Sequence, residues 1–251
     1  MKDIKERIDK YWSGRAEEFS YARMLDLTSD QAGIWLDVIK QSLPLKRPLK
    51  ALDIGTGAGF FPFLLNELGI ECIGIDYSKQ MINQADKNKI LLDKLDIVFK
   101  QMDAMNLQFE DESFDFIISR NVTWTLPDPL KAYKEMVRVL NKDGVILNFD
   151  ANYARQFKQG EKDHGENFSY KVQDAYKYPY KHQTEEQIKE RNQIASELYV
   201  SNLRRPSWDV DVLLELGMRK VTVDVSDFNS VYSGHPKEDN PYKMFKLIAV
   251  K

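Results

Sequence analysis

Short apolar runs alternate with amphipathic stretches along this chain. Runs at residues 51–54, 71–76, 96–104, 114–121 and 145–150 are each too short for a buried helix and end abruptly in polar residues. They read as strands covered on both faces, the pattern of a parallel sheet. The stretches between them have helical spacing. Phe61, Leu64, Leu65 and Leu68 form one stripe; Met81, Ile82, Ala85, Ile90, Leu91 and Leu92 form a second, within residues 79–95. Ala132, Tyr133, Met136, Val137 and Leu140 form a third, in a helix over residues 130–140 that residues 141–144 close. Strand and helix in regular alternation predict an α/β, doubly wound sheet.

The flanks follow other rhythms. Residues 4–43 predict helices, with Ile4, Ile8, Tyr11 and Trp12 on one stripe and Ile34, Trp35, Val38 and Ile39 on another. Ser13-Gly14 interrupts the first, and Pro44 and Pro48 mark the linker that follows. Residues 151–207 break the alternation with clustered aromatics among charges; they predict a partly helical insertion, a lid, since a structureless loop of that length is rare in a compact domain. A helix start is expected at Thr184-Glu185-Glu186-Gln187. Residues 208–216 return to a core helix, and residues 220–225 and 243–250 alternate as two further strands. The expected organisation is one domain over 1–251: a helical cap (1–45), a core (46–150), the insertion (151–207) and the rest of the core (208–251).

The first strand runs into Asp53-Ile54-Gly55-Thr56-Gly57-Ala58-Gly59. Glycines there allow positive φ and let a ligand approach the backbone, and the helix that follows presents free N–H groups and a partial positive charge to an anion. Asp76 ends the second strand about 20 residues on, where one strand–helix–strand unit brings a carboxylate within reach of ribose hydroxyls. Asp103 ends the third strand, and Asn121 to Pro129 form the loop beyond the fourth. Ligands of open α/β sheets bind at this carboxyl edge. A dinucleotide turn places two residues before its last glycine, whereas one residue separates Gly57 from Gly59.

Asp53 before a G-x-G-x-G turn, with Asp76 and Asp103 at successive strand ends, resembles class I S-adenosylmethionine-dependent methyltransferases of the small-molecule type. The run from Phe114 to Asp150 and the segment from Tyr11 to Phe19 resemble the same family. The resemblance implies a Rossmann-like, seven-stranded, mostly parallel sheet with an antiparallel C-terminal edge strand. It implies S-adenosyl-L-methionine as cofactor, S-adenosyl-L-homocysteine as product, and in-line methyl transfer to an oxygen or nitrogen of a small-molecule acceptor. The cofactor-binding residues it implies are Tyr11, Arg15, Asp53, Gly55, Thr56, Gly57, Asp76, Tyr77, Met81, Asp103, Ala104 and Asn121. Asn121 and Trp124 would border the methyl group. Charge disperses during such a transfer, so positioning and desolvation carry most of the catalysis, and a base is needed only for a protonated nucleophile. His164, His182 and His235 are the candidate bases. Asn121-Val122-Thr123-Trp124 lacks the Asn-Pro-Pro-Tyr pattern of base and amide methylation.

Composition narrows the rest. The 251 residues are 43% apolar, enough for a sizeable core, and the net charge of −3 with acids and bases interspersed speaks against bulk nucleic-acid binding. The single Cys72 leaves no internal disulfide, and no metal site is expected. The charged beginning lacks a signal-peptide core, and no apolar run reaches membrane length, so a cytoplasmic protein, monomeric or homodimeric, is expected. Two other classes stay open: a NAD-type oxidoreductase, and a non-catalytic adenosylmethionine-binding or assembly protein.

Overall fold

The computed structural model describes residues 2–44, 49–151, 184–225 and 244–251. Three helices lead: α1 (Lys2–Ser13), α2 (Ala16–Leu27) and α3 (Asp30–Ser42). The predicted break at Ser13-Gly14 separates α1 from α2, and Ser29 caps α3 by accepting the Gln31 N–H. Then come β1 (Lys50–Ile54), α4 (Phe60–Glu67), β2 (Glu71–Asp76), α5 (Lys79–Leu91), β3 (Val98–Gln101) and β4 (Phe114–Arg120). A 3₁₀ turn (Thr123–Thr125), α6 (Pro129–Val139) and β5 (Leu140–Asp150) follow. Past residue 183 lie α7 (Glu185–Glu197), α8 (Ser207–Glu215), β6 (Lys220–Asp224) and β7 (Phe245–Val250).

The seven strands form one sheet in the order β3-β2-β1-β4-β5-β7-β6. β1 to β5 pair in parallel, while β7 runs antiparallel to both β5 and β6 and lies between them. This is the doubly wound Rossmann-like architecture the alternation predicts. The central strands are buried on both faces, which is why they read as unbroken apolar runs. The two faces support separate cores. One joins Leu52, Ile54, Ile117 and Ile146 to α6 and α8. The other joins Phe116, Ile118, Leu147 and Phe149 to α3 and α4. There Trp35, 1% exposed, meets Phe60, Phe61 and Phe149 edge-to-face, contacts that each add about 0.5–1.5 kcal/mol beyond area burial.

Three boundaries differ from expectation. α5 ends at Leu91 rather than residue 95, and Leu91 and Leu95 are exposed, so the last leucines never joined its apolar face. β3 is only four residues long, and Asp103 lies two residues beyond it. β5 starts at Leu140, so residues 141–144 extend a strand instead of closing a helix; Asp143 takes φ 64° and the pairing with β4 shifts register between Phe114 and Phe116. The capping box expected at Thr184 is present in full. No helix among the described residues is long and apolar enough to cross a membrane.

Candidate functional site

The carboxyl ends of β1, β2 and β4 meet at the glycine turn. Gly55, Gly57 and Gly59 have φ of 66°, 54° and 97°. Each is also crowded: a Cβ on Gly55 would lie 2.3 Å from Val122 Cγ2, and one on Gly57 would lie 2.9 Å from the Phe19 ring. The turn is braced by Thr56 N–H donating to Ile75 O (2.8 Å) and by Asn88, whose amide donates to Ala58 O (3.0 Å) and Ser20 Oγ (2.9 Å).

Asp76 binds the turn to its own strand. One of its oxygens accepts the Gly57 N–H (2.9 Å) and the other the Ser78 N–H (2.9 Å). Burial raises its pKa to about 6 against these two bonds. Asp103 accepts the Met105 N–H (2.9 Å) and the Lys5 ammonium (2.7 Å). Tyr77 is exposed on its side chain, while Met81 and Ala104 are buried. Asn121 holds φ 58°, a left-handed conformation that asparagine tolerates better than most, and donates its N–H to Phe149 O (2.8 Å).

The Tyr11–Phe19 segment folds across this edge. Arg15 donates to Tyr11 Oη (3.2 Å), Trp12 packs edge-on to both Tyr11 and Phe19, and Ser13 bonds Ser78 (2.8 Å). The cofactor residues expected from the sequence therefore gather at one edge of the sheet, with Tyr77 at its rim. His164, His182 and His235 lie outside the described residues. Among the described residues no group of three or more His, Cys, Asp or Glu side chains is placed to hold a metal ion.

Asp53 is the most perturbed group here. It is 1% exposed, its Oδ2 is buried with no hydrogen-bond partner, and burial pushes its pKa to about 8 although the Thr56 hydroxyl and Arg120 pull the other way. Phe19, Arg23, Gly55, Thr56, Phe60 and Arg120 enclose a small cavity beside it. The Arg120 guanidinium lies 4.6 Å from the Phe60 ring and 5.0 Å from the Trp35 ring, and Arg23 lies 5.2 Å from the Phe19 ring. A buried carboxylate between two guanidinium-bearing walls suits a zwitterion, with its ammonium at Asp53 and its carboxylate toward the arginines. Arg23 and Arg120 were not singled out by the sequence; each sits in an element whose spacing speaks only of packing.

The raised pKa has a consequence for stability. The folded protein holds the Asp53 proton that an unfolded chain loses near the ordinary carboxylate value, so wild-type stability falls as pH rises from about 4 to about 8. Asp53→Asn should raise Tm by roughly 5 °C at pH 7.5, about 2 kcal/mol, and the gain should vanish near pH 4. Thermal melts across pH check this; an equal gain at both pH values would remove the titration of Asp53 as its cause.

A fully buried polar network backs the loop after β4. Arg205 bonds Asp209 (2.6 Å), Asp150 (3.1 Å) and Thr123 Oγ1 (2.6 Å). Asp150 also accepts the Thr123 hydroxyl and the Trp124 N–H (3.0 Å). Asn148 links Thr123, Tyr133 and Ser119, and Tyr133 donates to Asp209 (2.7 Å). Trp124 itself is half-buried, facing α1 and α7 across a cleft.

Known proteins share this layout. Residues 52–148 match the family described as "Methyltransferase domain", a span that contains Asp53, the glycine turn, Asp76, Asp103 and Asn121. The chain is 29% identical over 147 residues to the demethylmenaquinone methyltransferase of Staphylococcus aureus, covering 57% of this chain and 59% of that protein. It is 37% identical over 101 residues to YcgJ of Bacillus subtilis, an uncharacterized methyltransferase, covering 40% of each. The chain thus spans well under two thirds of either relative's length. The fold also superposes, with TM-score 0.59 and 18% identity, on phosphoethanolamine N-methyltransferase 2 of Haemonchus contortus in complex with S-adenosyl-L-methionine, covering 86% of this chain and 51% of that one. The strand order, the acids at successive strand ends and these matches agree in supporting a class I S-adenosylmethionine-dependent methyltransferase domain over residues 52–148.

Proposed function

We propose that this protein moves a methyl group from S-adenosylmethionine to an oxygen or nitrogen of a small-molecule acceptor. The observation that carries the reading is the buried, partnerless Asp53 oxygen beside a turn of three glycines at positive φ. The name of the Staphylococcus aureus relative supports a small acceptor. The bound cofactor supplies an electrophilic methyl on a sulfonium, and every other task falls to the chain. Asp53 takes the ammonium of the methionine part, directly or through water, and Arg23 and Arg120 face its carboxylate. Gly55, Thr56 and Gly57 turn the backbone toward it. Asp76 turns its oxygens to the ribose hydroxyls. Asp103 accepts the adenine amino group beside Ala104, with Tyr77 and Met81 at the ring. Tyr11 and Arg15 close the site from above, and Asn121 and Trp124 border the reacting methyl.

On this assignment residues 1–45 are the cap, 46–150 the cofactor core and 151–207 the lid, within one cytoplasmic methyltransferase domain. The test is calorimetric titration with adenosylmethionine, adenosylhomocysteine and NAD in parallel. Micromolar binding of both adenosyl ligands without NAD is expected, and Asp76→Asn should weaken it more than tenfold. NAD binding alone would overturn the reading in favour of an oxidoreductase.

A further inference from the structure

Helix α1 lays one polar stripe along the strand ends. Lys5, Asp9 and Ser13 recur at four-residue spacing and so share a face of the helix. Both ends of the stripe are bonded to the sheet edge. The Lys5 ammonium donates to Asp103 Oδ2 (2.7 Å), and Ser13 Oγ shares a hydrogen bond with Ser78 Oγ (2.8 Å). Between them, Asp9 accepts the Ser13 hydroxyl (2.9 Å). Asp9 also faces Asp76, whose pKa is raised first by burial and further by the charge of Asp9. The stripe thus sets an attraction at Asp103 against a repulsion at Asp76.

The two oxygens of Asp103 serve different partners. Oδ1 accepts the Met105 N–H (2.9 Å), a local bond that shapes the loop itself. Oδ2 accepts Lys5, from 98 positions away in the chain. On the methyltransferase reading the adenine amino group donates to Asp103, and Oδ2 is the oxygen that can change partner without unmaking the loop. The ion pair there is suited to exchange. Its side chains are 29% and 22% exposed, within reach of water, and lysine is a point charge on a flexible stem that lacks the paired geometry of arginine on a carboxylate. The seating of α1 does not depend on it. Arg7 bonds Glu190 and Glu197 of α7 (2.8 Å each), and Ile4, Ile8 and Tyr11 pack against Ile194, Ala195 and Leu198 at the end of α7. Lys5 can leave Asp103 while the helix keeps its hold on α7.

We infer that Lys5 is an internal occupant of the adenine position: its ammonium holds Asp103 until the adenine amino group takes its place, so this contact is autoinhibitory toward the cofactor. The inference rests on the methyltransferase reading above, with Asp103 as the adenine acceptor. A site that must first be vacated binds more weakly in proportion to the fraction already vacant, so removing the occupant tightens binding.

The test is calorimetric titration of adenosylhomocysteine into the full chain, with Lys5→Met, Asp103→Asn and the double variant beside the wild type. Lys5→Met keeps the length of the stem and removes the charge. It should bind about fivefold tighter than the wild type. Lys5→Arg, which keeps the ion pair, should bind no tighter than the wild type. Raising sodium chloride from low salt to about 300 mM should narrow the gap between wild type and Lys5→Met, because screening loosens the pair. In the Asp103→Asn background, Lys5→Met should gain less than about twofold. Affinity unchanged or weakened by Lys5→Met, with the wild type binding, would overturn this inference alone, as would an equal gain in the Asp103→Asn background. Binding by Lys5→Met without measurable binding by the wild type would support it in its strongest form. Binding by neither would overturn the methyltransferase reading with it.

Discussion

Arg205→Met is expected to lower the melting temperature by roughly 10–15 °C, a loss of about 3–5 kcal/mol. Arg205, Asp150 and Asp209 have side chains that are wholly buried, so the guanidinium is what allows two carboxylates to remain in the interior. Burial alone pushes Asp150 toward protonation, and Arg205 opposes it. Without the arginine, two acids stay desolvated and face each other, and Thr123 loses a donor. Methionine fills most of the volume, which separates the electrostatic loss from a cavity. The penalty should shrink at pH 4–5, where Asp150, which burial pushes above the ordinary carboxylate range, is closer to neutral, and should shrink again when Asp150→Asn and Asp209→Asn are added. Urea melts at pH 7.5 and pH 4.5 measure both. A loss below about 1 kcal/mol at neutral pH would mean that the network relaxes or hydrates instead of standing as a charged cluster.

Gly57→Val is expected to abolish binding of adenosylmethionine and adenosylhomocysteine, a loss of more than 100-fold. Two costs coincide. φ of 54° is strained for a β-branched residue by about 1–2 kcal/mol, and the first side-chain carbon would already lie 2.9 Å from the Phe19 ring. The loop would have to shift, and its amide is one of the two that Asp76 holds. Gly57→Ala carries the same positive-φ penalty and the same first-carbon contact with Phe19, so the difference between the two variants isolates the cost of valine's branches. Calorimetry on both variants gives the comparison; micromolar affinity retained in Gly57→Val would mean that this turn does not contact the ligand.

The sheet was readable because β1, β2, β4 and β5 are buried on both faces, which leaves unbroken apolar runs with sharp polar ends. The glycine turn and the acid ending β2 were readable because the spacing of a single strand–helix–strand unit fixes them in sequence. β3 was overextended because its side chains are largely exposed, so no burial pattern marks its end. Residues 141–144 look like a turn by composition, yet tertiary pairing with β4 carries them as strand, with Asp143 absorbing the positive φ. Contacts across long stretches of chain left no trace. Lys5 meets Asp103 from 98 positions away, and Arg205 meets Thr123 from 82. Neither arginine beside Asp53 belongs to a motif, and a half-buried cation over the Trp35 and Phe60 rings reads in sequence as an ordinary strand end.

One helix ties the strand ends to α7. α1 reaches the end of the sheet through Lys5 on Asp103 and Ser13 on Ser78, and α7 through Arg7 on Glu190 and Glu197, with Ile8 and Tyr11 in the cleft wall. It cannot move as a rigid rod away from one side without drawing groups from the other. Linkage then works in both directions: whatever free energy one ligand spends or gains in setting α1 is passed to the second, and by equal factors each way. Affinity for a ligand held beside α7 is in this sense a property written partly at Asp103.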